Sequence, residues 1–125
     1  MGEFRWRAPQ PIEDWEDPLP VLESGFSCTQ PWTFLAAESG TKGDIVGSED
    51  CLTLNVWAPQ RLSANPSVTE AKLPVMVWIH GGGNSVGSSR HYQGQNLAED
   101  RKIIFVSVNY RLGLLGSFTH KSIRN

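Results

Sequence analysis

The sequence predicts an α/β fold with a mostly parallel central sheet, and three observations lead to this class. Two runs of nearly continuous apolar residues occur, VMVWI at residues 75–79 and IIFVSV at residues 103–108. Such unbroken runs are typical of strands that are buried on both faces of a sheet. The segment between them is long enough for a crossover with one helix, which we predict at residues 93–102. Strand, glycine-rich loop, helix and strand together predict a βαβ unit.

The preceding residues predict less regular structure. Five of the eight prolines fall in the first 31 residues, and residues 38–50 are rich in Gly, Ser and Asp, so loops and short strands are expected there. The segment LTLNVW at residues 52–57 alternates in polarity and predicts a half-buried strand. Residues 61–72 are polar, contain a proline and have no period, which predicts a surface connection.

Length and composition exclude several classes of protein. The 125 residues suit one domain, and 39% hydrophobic against 19% charged residues indicates a packed protein rather than a disordered one. The apolar runs are too short to span a bilayer. A net charge of −2 without a basic cluster argues against nucleic acid as a partner.

The cysteines and histidines give no sign of a metal or cofactor. Cys28 and Cys51 fit no metal or redox spacing, so they are either one disulfide or two buried thiols. His80 is expected to order the backbone of the loop that it opens rather than to transfer protons, and His91 and His120 are expected at the surface. No metal-ligand spacing occurs, and no cofactor is predicted.

The most informative segment is HGGGNSVG at residues 80–87, directly after the first apolar run. Ligands bind open α/β sheets at the carboxyl ends of their strands, which is where this loop begins. Three consecutive glycines allow backbone N–H groups to approach a developing negative charge closely. The loop therefore suits an oxyanion hole or an anion nest, and the alternative is a flexible turn without a ligand.

Two other interpretations of this loop are less favourable. Residues 83–87 spell G-x-S-x-G, but Ser85 lies six residues beyond the end of the apolar run, whereas a nucleophile elbow needs its serine on a tight turn between strand and helix. We therefore reject Ser85 as the nucleophile. Gly81, Gly83 and Gly87 lack the spacing of a dinucleotide-binding loop, and no G-K-S/T follows for a nucleoside triphosphate.

Four stretches of the sequence together resemble one family, the type-B carboxylesterases, which include the cholinesterases and the bacterial para-nitrobenzyl esterases. They are RWRAPQP at residues 5–11, SEDCLTLNVWAP at residues 48–59, LPVMVWIHGGG at residues 73–83 and VSVNYRLGLLG at residues 106–116. They occur in the family's order and spacing over nearly the whole chain.

The resemblance implies an incomplete α/β-hydrolase fold, with residues 1–125 as the N-terminal part of a single domain, and it implies roles for particular residues. Gly82 and Gly83 would donate backbone N–H groups to the oxyanion of a tetrahedral intermediate. His80, because it opens the loop, and Gly81 are expected to support the loop. In many members the corresponding cysteines are bridged, which implies a disulfide between Cys28 and Cys51. Arg5 and Glu49 correspond to the family's structural ion pair.

The sequence also departs from the family pattern. The nucleophile elbow, the acid and the histidine follow the YRLG segment in these enzymes, and the 125 residues stop before any of them. We therefore expect the chain to be part of a serine carboxylester hydrolase and to supply its oxyanion loop. The isolated chain is not expected to hydrolyse a small carboxylic ester by itself. The alternative is a noncatalytic adhesion or binding protein of the same fold.

Two further expectations follow from the resemblance. Ending the chain before the elbow strand leaves an apolar strand edge unpaired, through which the isolated chain is expected to self-associate. A disulfide between the two cysteines would favour an exported parent protein.

Overall fold

A computed structural model describes residues 2, 4–18, 20–60 and 72–123, with only the backbone of residue 123. The predicted surface connection at residues 61–72 lies outside the described residues except for its last position. The strands and helices are β1 (Gln30–Pro31), β2 (Ile45–Val46), β3 (Leu54–Trp57), β4 (Val75–Ile79), α1 (Gln95–Arg101), β5 (Ile104–Val108) and α2 (Gly113–Ser117). Short 3-10 helices cover Phe34–Ala36, Ser89–His91 and Lys121–Ile123.

The central sheet has three described strands in the order β3-β5-β4. β4 and β5 pair in parallel, with Val75 opposite Ile104 and Ile79 opposite Val108, while β3 runs antiparallel to β5. Helix α1 connects the two parallel strands, so the predicted βαβ unit is confirmed. β1 and β2 form a separate antiparallel pair of two residues each.

Helix α1 packs closely on β5 because the residue before it is a glycine. A Cβ atom at Gly94 would lie 2.1 Å from the ring atom Cδ1 of Phe105. The helix ends at Arg101, and the capping residue Lys102 adopts a left-handed conformation with φ of 53°. The observed helix lies within the predicted range of residues 93–102.

The expected burial of β4 on both faces is wrong. All five of its side chains are exposed, whereas the side chains of β5 alternate between buried and partly buried. The reason is that α1 packs against β5, and the 3-10 helix Ser89–His91 packs against β3 and β5. Among the described residues, no element covers β4 to the same extent.

Strand β3 differs from its prediction in a similar way. It begins at Leu54 rather than at residue 52, and its more buried positions are Asn55 and Trp57. Leu54 and Val56 are 58% and 57% exposed. Asn55 can be partly buried because its side-chain amide donates hydrogen bonds to the hydroxyls of Ser89 and Ser107, at 3.1 and 3.3 Å.

The buried interior is therefore unusually polar. Its apolar members among the described residues are Cys28, Ala36, Cys51, Ala98, Phe105 and Leu112, and its polar members are Ser27, Gln30, His80, Ser88, Ser89, Ser107 and Asn109. The accessible surface of 9863 Å² compares with about 6,700 Å² for a folded monomer of this mass. Many large apolar side chains of the described residues are exposed, including all five of β4. None of the described helices has the length and apolar character that a membrane span requires.

Candidate active site

The glycine loop at residues 80–87 leaves the carboxyl end of β4 and turns back on itself. Gly82 and Gly83 have φ angles of 122° and 61°, in the region that favours glycine. The carbonyl of Gly82 accepts from the N–H groups of Ser85 and Val86, each at 3.1 Å. A Cβ atom at Gly82 would lie 1.8 Å from the carbonyl oxygen of Val86, so this tight turn requires glycine.

The first residue of the loop is held by an aromatic side chain from the segment after β5. His80 is 3% exposed, and its ring stacks on that of Tyr110 at a centroid distance of 4.4 Å. The hydroxyl of Tyr110 donates to the His80 carbonyl. Burial raises the pKa of the Tyr110 phenol, with a smaller contribution from Tyr92. His80 Nδ1 lies 2.9 Å from the Gly81 carbonyl oxygen.

The tip of the loop is held by the first residue of α2. The N–H of Gly113 donates to the carbonyl of Asn84 at 2.6 Å. Asn84 itself is left-handed with φ of 57°, a conformation that asparagine tolerates better than most residues. A cleft of about 170 Å³ borders this contact and is lined in part by Tyr110 and Arg111.

The last residue of the loop is held by Gln30 of β1. The Gln30 side-chain amide donates to the Gly87 carbonyl at 2.8 Å and accepts from the Gly87 N–H at 2.7 Å. No local sequence pattern relates this glutamine, in a proline-rich segment, to a loop 57 positions later, so its role is not predictable from the sequence.

Two backbone donors of the loop remain available. Among the described residues, no hydrogen-bond acceptor engages the N–H groups of Gly82 and Gly83. Gly82 is partly exposed and Gly83 is exposed. Neighbouring N–H groups that are free, close to solvent and fixed by a rigid loop are what the stabilisation of an oxyanion requires. These two N–H groups are therefore available as donors to a negatively charged group.

Ser85 has a different environment from a nucleophile. Its hydroxyl donates to the carbonyl of Gly83 at 3.2 Å, and it lies in the turn of the loop rather than between a strand and a helix. None of the three histidines, all described, accepts a hydrogen bond from it. His91 and His120 are exposed.

The remaining predicted residues lie away from the loop. Cys28 and Cys51 form a disulfide with Sγ atoms 2.00 Å apart, and Leu112 packs against it in the buried interior. Arg5 donates to Glu49, with Nε 3.0 Å from Oε2. Hydrogen bonding to Arg5 lowers the pKa of the Glu49 carboxyl, and the same contact raises the pKa of Arg5.

A cleft of about 800 Å³ lies between the N-terminal segment and the disulfide, and the ion pair also lines it. Neither glycine of the candidate oxyanion hole lines it. Within the part of the chain that the structure describes, no cluster of three or more side chains is suited to a metal ion.

Comparisons with known proteins agree on one family. The model of the carboxylesterase family matches residues 1–124. The chain is 43% identical over 127 residues to the para-nitrobenzyl esterase of Bacillus subtilis, covering 100% of this chain and 24% of that protein. It is 39% identical over 116 residues to a carboxylic ester hydrolase of Bombus ignitus, covering 93% of this chain and 20% of the relative.

Solved structures give the same result. A thermophilic PNB esterase superposes with a TM-score of 0.76 at 39% identity, over 97% of this chain and 24% of the other. A second PNB esterase superposes with a TM-score of 0.73 at 38% identity, over 97% and 22%. The predicted α/β-hydrolase fold is thus confirmed. The chain spans between a fifth and a quarter of the length of these relatives.

Proposed function

Because the chain belongs to the carboxylesterase family, we propose that it is part of a carboxylic-ester hydrolase that works through an acyl-serine intermediate. Its contribution is the oxyanion loop. The observation that carries this proposal is the pair of free N–H groups at Gly82 and Gly83, in a loop held at both ends and at its tip.

The loop acts on the charge that develops during ester cleavage. When a nucleophile attacks the ester carbonyl, its oxygen becomes an anion in the tetrahedral intermediate. Hydrogen bonds from Gly82 and Gly83 stabilise that anion more than the neutral carbonyl of the substrate, so they lower the barrier rather than merely tighten binding. The nucleophile, the acid and the base come from outside these 125 residues, and residues 1–125 form the N-terminal part of a single hydrolase domain.

A chimera tests this proposal. These 125 residues replace the matching quarter of the Bacillus subtilis para-nitrobenzyl esterase, and hydrolysis of a short-chain activated ester is measured. We expect an active chimera, and no turnover by the isolated chain. A chimera that folds, as judged by its thermal melting, but does not hydrolyse the ester contradicts the proposal and favours a noncatalytic binding role. Turnover by the isolated chain that disappears in Ser85→Ala also contradicts it.

Matched glycine variants locate the effect. Gly82→Ala in the chimera places a methyl group against the Val86 carbonyl, so we expect kcat to fall by about 100-fold or more. At Gly81 an added Cβ atom would meet nothing within 4 Å and φ is not positive, so Gly81→Ala should lower kcat less. Equal losses in the two variants would contradict the role of Gly82.

The isolated chain is proposed to self-associate through β4. All five side chains of this strand are exposed, and its outer edge has no partner strand among the described residues, so a second copy can pair with it. Sedimentation velocity tests this. We expect Val77→Lys to reduce association, whereas Leu114→Lys, an equally charged change at an exposed position of α2, does not. A monodisperse monomer of the unmodified chain contradicts the proposal.

The disulfide supports an exported location, because such bonds persist in oxidising compartments. The measurement is thiol labelling of Cys28 and Cys51 in the native cell. Two labelled thiols would contradict an exported location.

A further inference from the structure

We propose that Gln30 is a positioning residue for the oxyanion loop, acting on Gly82 through Gly87; the inference rests on the proposed function. Gln30 lies on β1, far from the loop in sequence, and touches neither of the two glycines that would bind the oxyanion.

The Gln30 side chain is buried and its hydrogen-bonding groups are used. It is 2% exposed, and its amide nitrogen donates both to the Gly87 carbonyl at 2.8 Å and to the Cys28 carbonyl at 2.9 Å. Its amide oxygen accepts from the Gly87 N–H at 2.7 Å. Both backbone groups of Gly87 are therefore fixed by one side chain, which in turn is fixed to the residue that carries the disulfide.

The position of Gly87 is transmitted to the start of the loop by close contact. Gly87 has φ of 122°, and a Cβ atom there would lie 2.5 Å from both the carbonyl oxygen of Gly81 and Nδ1 of His80. The two ends of the loop thus meet at Gly87. If Gly87 moves, the Gly81 carbonyl is free to move, and this carbonyl belongs to the same planar peptide unit as the N–H of Gly82.

The chemistry explains why a glutamine suits this position. The contact with Gly87 needs one donor and one acceptor at the end of a side chain of this length, which a primary amide supplies without charge. Methionine has similar length but cannot donate. Asparagine keeps the amide, but it is one methylene shorter and does not reach Gly87 from the same backbone.

The experiment measures two variants in the chimera with the Bacillus subtilis enzyme, Gln30→Met and Gln30→Asn. We expect kcat for the activated ester to fall about tenfold or more in each, with KM within about twofold of its original value, because the oxyanion contact is stronger in the transition state. A trifluoromethyl ketone, whose adduct with the serine carries an oxyanion, should lose affinity by the same factor as kcat/KM.

Two controls separate positioning from general destabilisation. Gln95→Met makes the same chemical change at an exposed helical position and should leave all three quantities unchanged. Ala98→Gly destabilises the fully buried centre of α1 without touching the loop. Even if Ala98→Gly lowers the melting temperature as much as a Gln30 variant does, its kcat should stay near that of the parent chimera.

The outcomes are distinct from those of the proposed function. An inactive parent chimera means that the proposed function fails before Gln30 is tested. An active chimera whose two Gln30 variants keep kcat, or whose inhibitor affinity does not follow kcat/KM, overturns the inference. If Gln30→Met does not accumulate as folded protein, Gln30→Asn gives the same measurement.

Discussion

The side of the molecule around the glycine loop and the side formed by β3 and β4 are built in opposite ways. Around the loop the buried residues are largely polar, and their hydrogen bonds are made within the described chain. On the sheet side the apolar side chains of β4 are exposed, from 40% at Trp78 to 68% at Ile79. Burial here follows what is available to pack against a residue rather than its hydropathy.

This difference has an energetic consequence. Buried polar groups contribute little net stability, but they are costly to leave without partners, so the loop side has one well-defined arrangement. Apolar groups stabilise a fold only when they leave water, so the sheet side contributes little in the isolated chain. The loop is thus held by contacts among the described residues, whereas β4 has no comparable cover among them.

The largest effect should come from the disulfide, which lies away from the loop but is connected to it through Gln30. Cys28→Ala/Cys51→Ala removes a bridge between residues 23 positions apart, and we expect a loss of about 3 kcal/mol in the free energy of unfolding. Urea unfolding followed by tryptophan fluorescence measures it. Because the chain has two cysteines in all, a reductant should produce the same loss in the unmodified chain and none in the variant. An unchanged midpoint on reduction would contradict the prediction.

The next effect tests the buried polar network directly. Asn109 is 8% exposed, accepts from the Ser89 N–H at 2.9 Å and donates to the Phe26 carbonyl at 3.0 Å. Asn109→Ala leaves both groups without a partner, so we expect a loss of about 2 kcal/mol in urea unfolding. Asn96→Ala, at an exposed helical position, should stay within about 0.5 kcal/mol. Equal effects would remove the distinction between the two regions.

Features of the fold and the site could be predicted where they depend on neighbouring residues, and not where they depend on contacts between residues distant in the sequence. β4, β5 and the helix between them were predicted because continuous apolar runs and a crossover of suitable length are local patterns. The glycine loop was predicted because three successive glycines directly follow an apolar run in the sequence. Gln30 could not be found, since its partner Gly87 lies 57 positions away in the sequence and is brought close only by the tertiary fold. The exposure of β4 was missed because hydropathy reports what a strand favours, not what covers it.

A third prediction compares the same side chain in two settings. Val77 is 57% exposed, so Val77→Ala should cost less than about 0.5 kcal/mol in the isolated chain at concentrations where it is monomeric. In the chimera, where about three-quarters of the protein is supplied by the relative, we expect this strand to be covered and the cost to rise to about 1–2 kcal/mol. Val21→Ala, at an exposed position outside the sheet, is the control and should stay small in both proteins. A small cost for Val77→Ala in both would mean that β4 remains exposed.

The smallest effect should come from the ion pair between Arg5 and Glu49, whose side chains are 41% and 19% exposed. The hydrogen bond from Arg5 lowers the pKa of Glu49 in the folded chain below its unfolded value. The stability that the pair contributes is therefore present at neutral pH and is lost as the pH falls through the lowered pKa of the folded state. Glu49→Gln should be slightly less stable than the unmodified chain at pH 7, and the difference should shrink on acidification.

Urea midpoints measured across that pH range give the comparison, and Glu23→Gln, which removes an exposed carboxylate, is the control. If both variants lose stability with the same pH dependence, net charge rather than the contact with Arg5 is responsible, and the N-terminal segment is held by its other contacts.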